Sequence, residues 1–231
     1  MERTDLILFD IDGTLLRGFG VGRRTMEAAF LDELGEAASL AHVPFHGNTD
    51  PSIVEAGFAA LGLSSTPARV AAVLDRYVHH LRVEVDRQNP YTALPGAGEL
   101  VRALHERGVP LGLGTGNIET TAWLKVEAIG LRAPFDFGGF GSDHAERGEL
   151  LRIGWHRGAA HLGVAPERCR VLIVGDTLRD IAAARHIGAE VLAVATGGDS
   201  VDTLAAEHPD HLVDSLEDPS VRPWIERWLA R

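Results

Sequence analysis

"LILFDIDGTLL" (Leu6–Leu16) opens on four apolar residues, runs into two aspartates one residue apart, and closes on Gly-Thr-Leu-Leu. A short continuous apolar run of this kind reads as a strand buried on both faces. Ionised carboxylates are costly beside such a run unless something compensates them. In an open parallel sheet, ligands bind beyond the carboxyl ends of the strands, and Asp10 and Asp12 stand at such an end. Residues two apart in extended chain point the same way. Two carboxylates held close on one side repel and raise a pKa unless a cation intervenes. A hard cation with oxygen ligands is the simplest remedy, and Mg2+ prefers one or two carboxylates together with phosphate oxygens.

The rest of the chain extends this strand into a sheet. Val109–Asn117, Phe135–Gly141, Arg170–Thr177 and Glu190–Gly198 are short apolar runs that end in Gly, Thr, Asn or Asp, and His211–Leu216 is a weaker, later one. Helical patterns lie between them over Pro95–Arg107, Glu119–Ile129, Leu150–Leu162, Asp180–Ile187 and Val201–Glu207. Strand–helix alternation with continuously apolar strands predicts an α/β fold, a doubly wound parallel sheet covered on both faces. Trp224 and Trp228, spaced i, i+4 near the end of the chain, are expected to pack onto that sheet.

Residues 17–89 break the alternation. Met26, Phe30 and Leu34 fall at helical spacing. Asp50-Pro51 and Thr66-Pro67 each read as an N-cap followed by proline at the first helical position. The apolar set Val70, Val73, Leu74, Tyr77, Leu81 and Val85 marks a long helix. The organisation predicted is therefore a Rossmann-like α/β core of residues 1–16 and 90–231, with an all-helical insertion of residues 17–89. Asn89–Gly96 is the return linker.

Two further strand ends carry polar chemistry. "GDTLRD" (Gly175–Asp180) supplies Asp176 and Asp180, and "LGLGTGN" (Leu111–Asn117) supplies the Thr115 hydroxyl beside Gly116 and Asn117. Acids, a hydroxyl and glycine-flanked amides converging at three strand ends suit metal-assisted phosphoryl transfer. Taken singly, each aspartate reads equally well as a turn or capping residue.

In this combination the chain resembles the haloacid dehalogenase superfamily, in its capped, phosphoglycolate-phosphatase-like branch. The resemblance rests on "DIDGT" for the first motif, Thr115 for the second and "GDTLRD" for the fourth, and it covers essentially the whole chain. It implies a Rossmann-like core with a helical cap, and a Mg2+-dependent phosphatase for a small phosphate monoester of the phosphoglycolate or sugar-phosphate kind. Asp10 would attack phosphorus and form an aspartyl phosphate. Asp12 would protonate the leaving alkoxide and then deprotonate water. Asp10, the Asp12 carbonyl and Asp176 would hold Mg2+, with Asp180 ligating through water or orienting the others. Thr115, Gly116 and Asn117 would bind phosphate. A phosphomutase of the β-phosphoglucomutase type shares these features and is the alternative.

One departure stands out. The family's third motif is a lysine, and Lys125 is the only lysine here. It falls on the helix after Thr115 and reads as a solvated surface residue. Arg147, just ahead of the helix expected from Leu150, is the substitute, because a guanidinium supplies the same charge in a planar fork. Arg17, Arg23 and Asn48, the last within "HGNTDP" (His46–Pro51), are candidate substrate contacts from the cap.

Composition bounds the rest. A net charge of −11 argues against nucleic acid or an anionic membrane as partner. No apolar stretch reaches the roughly 18 residues of a membrane span, and the acidic first strand follows too soon for a signal peptide. Cys169, the one cysteine, opens a buried strand and reads as a packed residue. The expectation is a cytoplasmic enzyme, a monomer or weak dimer, acting on a small phosphorylated metabolite.

Overall fold

The computed structural model describes residues 4–35 and 38–231. Of the predicted segments 1–16 and 17–89, residues 1–3 and 36–37 therefore lie outside the description. In chain order the elements begin with strands β1 (Thr4–Phe9) and β2 (Leu16–Arg17), then helices α1 (Val21–Leu34), α2 (Asp50–Ala60) and α3 (Pro67–Gln88). Next come β3 (Thr92–Ala93), α4 (Ala97–Glu106), β4 (Leu111–Thr115), α5 (Glu119–Ala128), β5 (Phe137–Phe140) and α6 (Arg147–His161). The chain finishes with β6 (Cys169–Gly175), α7 (Leu178–His186), β7 (Glu190–Val194), α8 (Val201–Ala206), β8 (His211–Val213) and α9 (Val221–Leu229).

Six of the strands form one parallel sheet in the order β5-β4-β1-β6-β7-β8. β1 is central, and its side chains alternate between two apolar layers. Ile7 and Phe9 join the layer that contains Val101, Val126, Trp224 and Trp228, while Leu6 and Leu8 join Leu151, Ile181 and Leu204 on the other face. Both layers are closed to water, which is why the strand reads as an unbroken apolar run. Trp228 is fully buried, and its indole N–H donates to Glu190 at 2.9 Å. Cys169 is buried at the start of β6.

The helices α1–α3 lie between β2 and β3, which pair antiparallel as Leu16↔Ala93 and Arg17↔Thr92. This two-stranded ribbon is where the chain leaves the main sheet and returns to it. The buried stripe of α3 is Val70, Val73, Tyr77 and Leu81. Beside this stripe lies His80, whose Nε2 is 2.8 Å from Asp32 of α1.

Two of the boundaries that differ from the sequence reading bear on the site. The N-cap of α2 is Thr49, not Asp50. The Thr49 hydroxyl accepts from Ser52 N at 3.3 Å while the Ser52 hydroxyl receives Thr49 N at 3.1 Å, a reciprocal capping box. Asp50 is thereby the first helical residue, its carboxylate free to turn elsewhere. The helix expected from Leu150 begins at Arg147 instead, because the Glu146 carbonyl already accepts from Glu149 N and Leu150 N at 3.1 Å.

Candidate active site

β1, β4 and β6 are neighbours in the sheet, so the residues just past their carboxyl ends meet. Asp10 N still donates to Val174 O at 2.9 Å, which fixes the first aspartate against the end of β6. Asp10, Asp176 and Asp180 are all buried, and one oxygen from each lies within 4.8 Å of the others. Asp176 receives the Thr14 hydroxyl on Oδ1 at 2.8 Å, but its buried Oδ2 has no partner. Asp180 accepts the Thr177 hydroxyl at 2.7 Å and Thr177 N at 3.0 Å on Oδ2, closing the capping box of α7.

Arg147 is the cation of this cluster. Its Nε donates to Asp180 Oδ1 at 2.7 Å. Its Nη2 lies 2.9 Å from Asp10 Oδ1 and 2.7 Å from Asp180 Oδ1, close ion pairs that lack the alignment of hydrogen bonds. One guanidinium among three carboxylates leaves a buried negative excess. Burial pushes the Asp10 carboxyl up to about 6; Arg147 opposes this, while Asp180 and Asp12 add to it. Burial, then Asp10 and Asp180, holds Asp176 well above the usual carboxylate range.

These residues fit a divalent cation. The orphaned Asp176 oxygen suits an electropositive partner, and the surrounding backbone is cut away to admit the carboxylate itself. A Cβ at Gly13, which has φ +92°, would fall 2.3 Å from Asp176 Oδ2. A Cβ at Gly197 would fall 1.5 Å from the same atom. Gly197→Ala is therefore expected to push the carboxylate off its position and, if the cluster holds a divalent cation, to weaken its binding by about 10–100-fold, the usual cost of disturbing a ligand's support. Isothermal titration of Mg2+ into wild type and variant checks this; equal affinities would show that Asp176 holds no metal.

Asp12 is in a different setting. Its side chain is 48% exposed and faces a cavity of about 460 Å³. Lys125 Nζ lies 2.9 and 2.7 Å from its two oxygens, and Asn117 Nδ2 donates to Oδ2 at 2.7 Å. Desolvation works against the charge, but Lys125, with Asn117 and Arg147 behind it, outweighs it and lowers the Asp12 pKa. The reading of Lys125 as a solvated surface residue is thus corrected: it is 4% exposed and points inward. The signal was in the sequence. Lys125 shares the helical face of Ala122 and Val126, an inward stripe on which a lysine needs a buried partner.

Every other predicted site residue lines the same cavity, except Asp176 and Asp180, which are fully buried. Thr115, at the end of β4, accepts Asn117 Nδ2 on Oγ1 at 2.8 Å. Gly116 passes so close to the cap that a Cβ there would meet Asn48 O at 2.2 Å. Arg17 donates to Thr196 O at 2.8 Å. Arg23 donates to the Leu40 and Val43 carbonyls and stacks on Phe45. Asn48 donates to Pro44 O at 3.0 Å and accepts from Arg179.

Asp50 joins the two parts of the chain. Its N–H donates to Gly116 O at 2.8 Å, and its Oδ2 accepts Ile118 N at 3.0 Å and the Thr121 hydroxyl at 3.1 Å. Burial raises this carboxyl to about 6 in spite of Lys125 and the two donors. The folded pKa lies above the ordinary 3.8, so the protonated form is favoured by folding. The associated stability is complete below pH 3.8 and is lost as pH rises through about 6, a penalty of at most about 3 kcal/mol. Asp50→Asn keeps an acceptor for Ile118 N without the charge. Its stability relative to wild type is expected to rise from near zero at pH 4 to its full value above about pH 7, measured by urea unfolding in the absence of metal.

A doubly wound sheet with three buried acids at its carboxyl end, under helices inserted after the first strand, defines a hydrolase class. The chain belongs to the haloacid dehalogenase-like hydrolases, whose family model matches residues 4–188. It is 27% identical over 228 residues to the probable phosphatase IndB of Dickeya dadantii, covering 92% of this chain and 90% of that one. It is also 27% identical over 210 residues to a phosphoglycolate phosphatase of Caulobacter vibrioides, covering 87% and 84%. Among solved structures, CbbY of Rhodobacter sphaeroides in complex with phosphate superposes with a TM-score of 0.70 at 21% identity, over 94% of this chain and 96% of that one. Among the described residues no helix is long and apolar enough to cross a membrane.

Proposed function

We propose that the protein is a Mg2+-dependent phosphatase that hydrolyses a small phosphate monoester of the phosphoglycolate or sugar-phosphate kind through an aspartyl phosphate. The observation that carries this reading is the contrast between its two first-motif aspartates. Asp10 sits in the acidic cluster against Arg147, whereas Asp12 faces the cavity, paired with Lys125. Position separates their roles: Asp10 stands in the acidic cluster, where a bound cation would favour its ionised form, and Asp12 stands at the cavity, where the leaving group and water would lie.

Asp10, the Asp12 carbonyl and Asp176 would hold Mg2+, with Asp180 steadying Arg147 and the start of α7. Bound there, the cation offsets the repulsion between Asp10 and a phosphate dianion. Asp10 attacks phosphorus, and its carboxylate takes the phosphoryl group as the alkoxide leaves. Asp12 gives the alkoxide its proton and then takes one from the water that splits the acyl phosphate. Thr115 and the amides of Gly116 and Asn117 hold the equatorial oxygens. Residues 17–89 act as the cap that excludes water, with Arg17, Arg23 and Asn48 facing the remainder of the substrate. Action on a soluble metabolite in the cytoplasm, as a monomer or weak dimer, is consistent with this reading.

The test is phosphate release across a panel of small monoesters, in Mg2+ and in chelator. Release from at least one monoester that stops in chelator supports the reading, and the ranking of monoesters defines the cap's preference. Silence across the panel in Mg2+, with transfer between sugar hydroxyls instead, replaces it with a phosphomutase.

A further inference from the structure

We propose that Lys125 is the positioning residue for Asp12, and that the chain divides the positive charge of its site between two cations, Lys125 and Arg147. The inference rests on the phosphatase reading above. Arg147 is committed to Asp10 and Asp180, at 2.9 and 2.7 Å. Among the described residues Lys125 is the only cationic side chain within ion-pair distance of Asp12.

The geometry is that of a clamp. Asp12 lies just past the sheet, beside Gly13 in its left-handed conformation, with an open cavity on one side. A half-exposed carboxylate at such a place samples several rotamers. Lys125 contacts both of its oxygens, at 2.9 and 2.7 Å, and Asn117 adds a third contact at 2.7 Å. The clamp is rigid at its root, because Lys125 is buried on α5 with its Nζ 5.9 Å from the centre of the Tyr91 ring. Its remaining bond goes to Asn117 Oδ1 at 2.6 Å. An ammonium has three protons, and Asp12 and Asn117 engage all three. Lys125 thus has no donor left for substrate. Through Asn117 the same network reaches the Thr115 hydroxyl, so the base and the phosphate-binding loop are fixed relative to one another.

The step most sensitive to this clamp is the second half of the reaction. Water attacks phosphorus, the bond from phosphorus to the Asp10 oxygen breaks, and Asp12 accepts the proton that the water loses. Phosphate leaves and Asp10 is regenerated. In the first half, a leaving group as stable as p-nitrophenolate departs without a proton. With p-nitrophenyl phosphate, Asp12 is therefore called upon only after the phenolate has gone.

Stopped-flow measurement of p-nitrophenolate release in Mg2+ separates the two halves. In Lys125→Met the first turnover is expected to stay within about 3-fold of wild type, while the steady rate falls about 100-fold, the scale of a misplaced reacting group. The trace then shows a burst close to one p-nitrophenolate per site. Lys125→Gln, which keeps a neutral donor towards Asp12, is expected to show the same burst with a smaller fall, and it stands in if the methionine variant fails to fold. First turnover and steady rate falling together would mean a structural role for Lys125, and unchanged rates would mean none; either overturns the inference. Wild-type protein that releases nothing from this ester or from the monoester panel overturns the phosphatase reading itself.

Discussion

Asp10→Asn is expected to lower phosphate release by about 10⁴-fold or more while the protein remains folded. In the proposed reaction this carboxylate attacks phosphorus, and an amide of the same shape is not a nucleophile. The substitution is close to isosteric, so Arg147 and the Val174 carbonyl keep their neighbour. Folding should not suffer. Burial already pushes the Asp10 carboxyl up to about 6. With the folded pKa above the ordinary 3.8, its stabilising contribution is present at low pH and lost as pH rises through about 6. In metal-free buffer at pH 7.5 the variant is therefore expected to melt no lower than wild type. It is also expected to gain less from Mg2+, because one of the repelling carboxylates has gone. The check is a pair of measurements, phosphate release in saturating Mg2+ and thermal unfolding with and without chelator. Activity above about one hundredth of wild type would place the nucleophile elsewhere.

The parts of this site that could be read from sequence are those that follow from the sheet. Asp10, Thr115 and Asp176 each stand at or just past the end of an apolar run, and parallel strands with neighbouring ends must bring them together. Residues fixed by helix phase and capping chemistry were harder. Lys125 comes from α5, and only its position on the face shared by Ala122 and Val126 distinguishes it from a surface lysine. Asp50 reads as an N-cap because it precedes proline, yet Thr49 and Ser52 satisfy the cap between them and release Asp50 to bond Ile118 and Thr121. That arrangement depends on contact between α2 and the loop after β4, which no local pattern encodes. The glycine cradle of Asp176 is of the same kind, since Gly13 and Gly197 lie far apart in sequence and meet only around one carboxylate.

Arg147→Met is expected to be the most destabilising single change in the site and to lower kcat/KM by about 10²–10³-fold. The guanidinium is 8% exposed and is the only cation touching Asp10 and Asp180 among the described residues. Removing one partner of a buried ion pair leaves an uncompensated charge, which costs about 3–5 kcal/mol. Here two carboxylates lose the same partner while Asp176 stands beside them. Part of the cost is recovered by protonation, so the variant's stability should fall more steeply than that of wild type as pH rises from 5 to 7. Part is recovered by metal, because Mg2+ bound only to the folded state stabilises it by mass action. The Mg2+-dependent rise in melting temperature should therefore be larger in the variant than in wild type. Catalysis does not recover with the fold. A cation held against the attacking carboxylate stabilises charge that develops on the transferring phosphoryl group, and a single such donor is worth about 10²–10³ in rate. Arg147→Lys restores one point of charge without the fork that spans Asp10 and Asp180, so it should regain most of the stability and only part of the rate. Urea unfolding in chelator and in Mg2+, with kinetics on the same preparations, reads all of these. A methionine variant as stable and as active as wild type would show that Lys125 alone carries the positive charge of the site.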